Sequence, residues 1–244
     1  MRIIGFLYGL VCYAAFVASS VYAIGFVGNL AVPKAVDTGP PGSPAVALLA
    51  DLFLLGLFAV PHSVMARPAF KAWWTRIVPP ALERSTYVLI SSLLLGLLFW
   101  HWRAIPGVIW DVDNQAGRRG VSALYWLGWL MAIGSTFILS HADLFGLRQV
   151  WLRVRHVNYT PLRFEACGPY RRVRHPIMLG YLIAFWAAPR MSVGHLLFSL
   201  AMTAYIFIGI LLEERDLAAA HGAAFEQYRN EVPMILPRLG RRPG

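Results

Sequence analysis

The sequence predicts an all-α, multi-pass transmembrane helical bundle of about five or six spans, and three observations carry that prediction. Of 244 residues, 58% are hydrophobic and only 14% are charged, whereas a soluble domain carries about 25% charged residues. Apolar stretches of membrane-spanning length recur along the whole chain. The basic residues sort by loop instead of scattering.

The apolar signal falls in six stretches, at 3–31, 45–65, 86–105, 121–140, 176–189 and 191–212. The first contains Val21-Tyr22-Ala23, which looks like a signal-peptide cleavage site. Its apolar run continues past that point, so a retained helix is expected. Pro33 and the proline- and glycine-rich run 38–44 make the first loop, Ile105-Pro106-Gly107 ends the third stretch, and 111–120 is a polar turn-rich loop. The stretch 176–189 is too short to cross upright, so it must tilt or pair as a hairpin with the stretch after Pro189-Arg190. After the last span, Leu217, Ala220, Ala224, Phe225 and Tyr228 recur at helical spacing, predicting a C-terminal amphipathic helix over 213–229, weakened at Gly222. The whole chain, 1–244, is expected to form one membrane domain, with the N-terminal spans in 1–140 and a ligand-binding region in 141–244.

With both termini placed in the cytoplasm, 17 of the 22 Lys and Arg fall on that side, in 66–85, 142–175, the segment after Glu213, and at Arg2. Lys34, Arg103, Arg118, Arg119 and Arg190 fall outside. This asymmetry accounts for the formal charge of +10 as an orientation signal in the cell (inner) membrane, facing lipid headgroups. It argues against nucleic acid as a partner, since no recognition motif accompanies it. Trp73, Trp74, Trp100, Trp102, Trp110 and Trp151 lie near span ends, as an interfacial aromatic belt would. Cys12 and Cys167 have no motif spacing, so neither a disulfide framework nor a metal site is expected.

Ionisable residues at span ends are costly and call for a reason. In this orientation His62, His141, Asp143, His175, Glu213 and Glu214 all reach the cytoplasmic face, although they come from four spans. That convergence predicts a pocket there. Proline suits the first position of a helix, so Pro176 opens a helix and holds His175 extended at its mouth. Free N–H groups there, with Arg171, Arg172 and Arg174, favour an anion. Glu213 and Glu214 can meet hydroxyl or ammonium groups of a ligand, or pair with an arginine of 171–174, and both can hold in one site. A ligand with an ammonium, a carboxylate and a ribose satisfies the whole set, and S-adenosylmethionine has all three. Asp51 falls in or at the edge of span two, His101 and His195 are expected near the outer interface, and His156 and His221 receive no role.

The segments "GPYRRVRHPIMLGY" and "EERDLAAAHGAAFEQYRNEVPMILP" resemble the C-terminal cofactor region of the isoprenylcysteine carboxyl methyltransferase family. Upstream, "PHSVMARPAFKAWW", "ERSTYVL" and "SHADLFGLRQVWL" resemble the membrane-bound methanethiol S-methyltransferases, and are similar also to accessory proteins of nitrite and nitric oxide reduction. The resemblance implies an S-adenosylmethionine-dependent thiol S-methyltransferase that converts methanethiol to dimethyl sulfide. It implies cofactor contacts at Tyr170, Arg174, His175, Leu179, Gly180, Glu213, Glu214 and Tyr228. Met178 stands where many relatives carry an aromatic residue, so no aromatic contact is carried over to it. Because a thiolate is the effective nucleophile, the site needs a base or a positive field. His62 and His141 are the candidates for the base, with Asp143 orienting one of them. Three rival readings stay open: a lipid or prenylcysteine acceptor, an NADPH-dependent membrane reductase that uses the arginine cluster for a phosphate, and a denitrification accessory protein.

Overall fold

A computed structural model describes residues 2–39, 42–162 and 166–237. Pro40, Pro41, Arg163 and the basic residues from Arg238 onward lie outside the described residues. Helices α1 (Arg2–Gly28), α2 (Pro44–Met65), α4 (Pro80–His101), α5 (Gln115–Leu139) and α9 (Val193–His221) are each long and apolar enough to cross a membrane. Helix α8 (Pro176–Trp186) is apolar but has 11 residues, about 16 Å of rise against the roughly 30 Å of a bilayer core. Short helices α3 (Pro68–Trp74), α6 (His141–Leu144), α7 (Leu147–Val154) and α10 (Ala223–Glu231) lie between and after them. The chain is an all-α, multi-pass integral membrane protein.

Local chemistry sets the helix starts. Prolines open α2, α3, α4 and α8, where the missing N–H costs nothing. Asn114 caps α5 by accepting from Gly117 N, and Ser192 caps α9 by accepting from His195 N at 2.9 Å. Helix α9 does not stop where its apolar run stops. It carries Glu213 and Glu214 onward to His221 and breaks at Gly222, whose φ of +53° suits glycine. The amphipathic segment expected as one helix over 213–229 is therefore the end of α9 plus the separate α10. The third and fourth spans likewise begin earlier than expected, at Pro80 and Gln115, because a charged first turn projects from the membrane end without disturbing the helix.

The long helices and α8 form a ring in the order α1, α4, α2, α9, α8, α5. The ring closes where the Tyr125 hydroxyl donates to Ile24 O and Tyr13 meets His141. The α5–α8 seam is the closest. Gly128 and Ala132 on α5 face Gly180 and Ala184 on α8, a small residue every fourth position on both helices. A Cβ on Gly180 would sit 2.5 Å from Ala132 N and 2.6 Å from Gly128 O. Partnering α5 in this way resolves the short α8: it packs along a full-length helix and returns through a two-stranded ribbon. That ribbon pairs β1 (Val108–Asp111) antiparallel with β2 (Arg190–Ser192) and marks one end of the ring.

Phe26, Phe99, Trp102, Phe185 and Phe198 interlock in the half of the ring next to the ribbon. Trp102 belongs to this plug and not to an interfacial belt. It is fully buried, and its indole N–H donates to Val36 O. His195, expected at the interface, is also core, with Nε2 against Phe185 O at 3.0 Å. Asp51 lies fully inside α2 and accepts from Arg103 N. With the ribbon half filled by aromatic rings, polar side chains gather toward the opposite, charged end.

Candidate functional site

The chain turns into α8 through a 3₁₀ turn at Gly168–Arg171. Arg174 N and His175 N then donate to Pro233 O and Met234 O, so the C-terminal segment runs alongside the mouth of α8. On α9 the buried stripe Met202, Ile206, Ile210 and Glu214 recurs every fourth residue and ends on a carboxylate. Glu214 takes a forked pair from Arg174, Nε to Oε1 at 2.7 Å and Nη2 to Oε2 at 3.2 Å, and lies 2.8 Å from His175 Nε2. Arg174 also donates through Nη1 to Arg229 O and Val232 O. Its guanidinium is thus spent on the protein, locking α8, α9 and the C-terminal segment together.

Glu213 differs from its neighbour. Its side chain is 48% exposed, with Oε2 3.8 Å from His175 Nδ1, whereas Glu214 is 8% exposed. Tyr170 is buried, its hydroxyl toward Ser135 O, and Tyr228 donates to Tyr170 O at 2.7 Å. Burial, then the charge of Glu213, raises the Tyr170 hydroxyl above the ordinary phenol range, and burial pushes Tyr228 up to about 12. Both hydroxyls therefore stay protonated and able to donate. The fold thus brings Tyr170, Arg174, His175, Glu213, Glu214 and Tyr228 into one cluster. Leu179 lies one turn into α8, packed against the core, and Gly180 spends its missing side chain on the α5 contact.

The candidate bases separate. His62 lies on α2 in a nest from α4 and α9: Nδ1 is 3.0 Å from Ser91 Oγ, Nε2 is 2.8 Å from the Tyr87 hydroxyl, and the ring packs near Tyr205 and Phe58. Tyr205 of this nest lies on α9, eight residues before Glu213, so the nest and the cluster at the mouth of α8 share that helix. His141 sits elsewhere. Tyr13 and Thr136 occupy its two nitrogens at 2.8 and 2.7 Å, and Phe137 stacks on it at 4.1 Å. Ile138 faces the 3₁₀ turn at Gly168, whereas Phe137, about 100° away around the helix, projects from another side. His141 thereby seals the α1–α5 seam. Asp143 binds Arg148 of α7 at 2.8 Å and Tyr159 at 3.2 Å, so its carboxylate is held by α7 and the segment after it and not by a histidine.

Sequence reasoning missed Tyr87, Ser91 and Tyr205. The available signal was Tyr87 and Ser91 four residues apart in an apolar span, which puts both on one helix face. Two clefts of about 770 and 840 Å³ lie elsewhere, one lined by Lys71, Arg84 and Arg153, the other by Asp37, Ser192 and His195. The candidate site is therefore defined by converging side chains.

Six helices in a ring, plugged at one end and polar at the other, define a multi-pass integral membrane protein with a candidate site at its polar end. Comparison with known proteins narrows this. The chain is 52% identical over 236 residues to the methanethiol S-methyltransferase of Mycobacterium tuberculosis (strain ATCC 25618 / H37Rv), covering 97% of each chain. It is 46% identical over 243 residues to the methanethiol S-methyltransferase of Pseudomonas deceptionensis, covering 100% of this chain and 93% of that one. Nurim of Rattus norvegicus is 32% identical over 176 residues, 68% of this chain and 66% of Nurim. The chain belongs to the methanethiol S-methyltransferase family. No family model matches it, and no solved structure does.

Proposed function

We propose that this protein transfers a methyl group from S-adenosylmethionine to methanethiol, giving dimethyl sulfide and S-adenosylhomocysteine. The observation that carries the reading is a half-exposed carboxylate, Glu213, beside His175 at the mouth of α8, with the His62 nest packed on the same helix α9 through Tyr205. Near-complete alignment with proteins named for this activity supports the same acceptor.

The cluster at the mouth of α8 suits the methyl donor chemically. Glu213 offers an acceptor for a hydroxyl or ammonium group. Tyr170 and Tyr228 line the turn, and Arg174, His175 and Glu214 fix its shape. When bound, S-adenosylmethionine supplies a methyl group on a sulfonium sulfur. The chain's part is to hold donor and thiol in line and to remove the thiol proton. His62 fits that second task better than His141, because His62 meets Tyr87 and packs near Tyr205 of α9, the helix that carries Glu213, while both nitrogens of His141 are taken by Tyr13 of α1 and Thr136 of α5. The charged end, with both chain termini, is assigned to the cytoplasm and the membrane to the inner one, following the sorting of basic residues.

A calorimetric titration of the purified protein tests the donor class. S-adenosylhomocysteine should bind saturably and NADPH should not. Binding of NADPH without S-adenosylhomocysteine would contradict the reading and favour a reductase.

A further inference from the structure

The cleft of about 770 Å³ between the starts of α1 and α4 and the helices α3 and α7 gathers Arg2, Lys71, Arg84 and Arg153. Arg2 meets His156. Lys71, Arg84 and Arg153 enter no ion pair among the described residues, and Asp216, whose charge reaches Lys71, is held by Arg67 at 2.7 Å. Against these cations the cleft carries one carboxylate among the described residues, Glu83. Burial, then the neighbouring charge of Arg84, lowers the Lys71 pKa from the ordinary lysine value. A half-buried cation facing another cation is held at a cost that an anion relieves.

The wall formed by α7 is braced from behind. At the end of α7, His156 N donates to Arg153 O and Val157 N to Leu152 O at 3.0 Å. This ending puts a left-handed residue where glycine is usual, yet His156 occupies it, with φ of +60°, and reaches Arg2. Asp143 holds Arg148 and Tyr159 through its carboxylate and Gln149 Nε2 through its carbonyl at 3.1 Å. Gln149 lines the cleft, is only 7% exposed, and leaves its Oε1 without a partner. The surroundings are apolar. Ile3, Ile4 and Leu7 of α1 are exposed, and Phe6 packs on the exposed Trp151 of α7 at 5.8 Å. Both α1 and α4 are candidate spans, so the cleft lies at the level where they leave the bilayer.

We propose that this cleft binds the headgroup of an anionic phospholipid, a phosphodiester that carries a hydroxyl group, as in phosphatidylglycerol. Lys71, Arg84 and Arg153 meet the phosphate, Glu83 accepts from the hydroxyl, and the acyl chains run along Ile3, Leu7 and Trp151. A soluble phosphate compound meets the same cations but leaves the apolar rim unused. The bound lipid ties α1, α3, α4 and α7 together, apart from the cluster at the mouth of α8, and the proposal does not depend on the methyltransferase reading.

Native mass spectrometry of the delipidated protein in detergent tests it. Wild type should retain phosphatidylglycerol more tightly than phosphatidylcholine of the same chain length. In the triple variant Lys71→Gln, Arg84→Gln, Arg153→Gln, phosphatidylglycerol affinity should fall by about 10²-fold, at roughly 1 kcal/mol for each cation and about 1.4 kcal/mol per decade. The control Arg76→Gln, Arg171→Gln, Arg172→Gln removes the same charge from exposed positions and should bind as wild type does. Equal loss in both triple variants, or equal retention of the two lipids, would overturn the site. Glycerophosphoglycerol, the same headgroup without acyl chains, should not displace the lipid at equal concentration. Displacement would make this a site for soluble phosphates and overturn the lipid assignment. If the triple variant does not fold, single variants decide: Lys71→Gln should weaken binding and Lys71→Arg should keep it, and equal binding by the two would overturn the proposal.

Discussion

Arg174 and Glu214, 40 residues apart in sequence, meet in a forked ion pair in which each side chain is only 8% exposed. The pair joins the mouth of α8 to the end of α9, and Arg174 carries it onward to Arg229 O and Val232 O. Glu213, one residue earlier, turns out of the same helix into the open. Adjacent glutamates thus sit differently: Glu214 is locked in a buried pair, and Glu213 is half exposed beside His175.

Substitution should separate them. Removing one partner of a buried pair costs about 3–5 kcal/mol, so Glu214→Gln should lower the thermal midpoint sharply. Glu213→Gln should leave the melt near wild type and weaken S-adenosylhomocysteine by about one to two decades, the loss of a charge-assisted hydrogen bond of roughly 1.5–3 kcal/mol. Equal effects of both variants on melting and on affinity would refute the division of roles.

Gly180 offers a second contrast. A methyl group there would approach Ala132 N to 2.5 Å, so Gly180→Ala should destabilise the α5–α8 seam by about 1–3 kcal/mol. Circular dichroism melts in detergent would read this. An unchanged melt combined with weaker S-adenosylhomocysteine binding would instead make Gly180 a ligand contact.

His141 gives a pH signature distinct from catalysis. Burial lowers its pKa below the ordinary histidine value, so the unfolded chain binds a proton that the folded chain resists. Its contribution to stability is full above the unfolded pKa of about 6.5 and is lost as pH falls toward the lower folded value. Melting temperatures measured from pH 7.5 down to 5 should decline in wild type, and part of that decline should vanish in His141→Phe. The pH profile of turnover should be the same in both. A changed turnover profile in His141→Phe would return this residue to the reaction.

Orientation is tested by impermeant maleimide labelling of intact cells. In a background lacking Cys12 and Cys167, a cysteine at position 116 should label and one at position 230 should not. The reverse pattern would invert the assignment of the charged end to the cytoplasm.

Much of this was legible in the sequence for a physical reason: membrane spans declare themselves by length and apolarity, and basic loops by charge. The same rules also read the proline-led mouth of α8 and the convergence of His62, His175, Glu213 and Glu214 on one end. What they missed depends on packing between helices. Trp102 looks interfacial by position, yet the ring of helices closes over it. Gly180 matches a cofactor motif, and only the packing shows that its lack of a side chain also admits α5. His62 and His141 look equivalent as histidines at span ends. Only the partners brought by α1, α4 and α9 tell them apart, and those come from sequence positions far away. The sequence offered a pairing of Glu213 or Glu214 with an arginine of 171–174; that the pair is Arg174 with Glu214, and that Arg174 also binds two carbonyls of the C-terminal segment, depends on residues 40 or more positions away.

The most direct test of the account is methyl transfer itself. Purified protein, given methanethiol and S-adenosylmethionine labelled with ¹³C in the transferred methyl group, should release dimethyl sulfide carrying one labelled carbon into the headspace, with one S-adenosylhomocysteine formed for each. Methylation of a prenylcysteine with no labelled dimethyl sulfide from methanethiol would contradict the account.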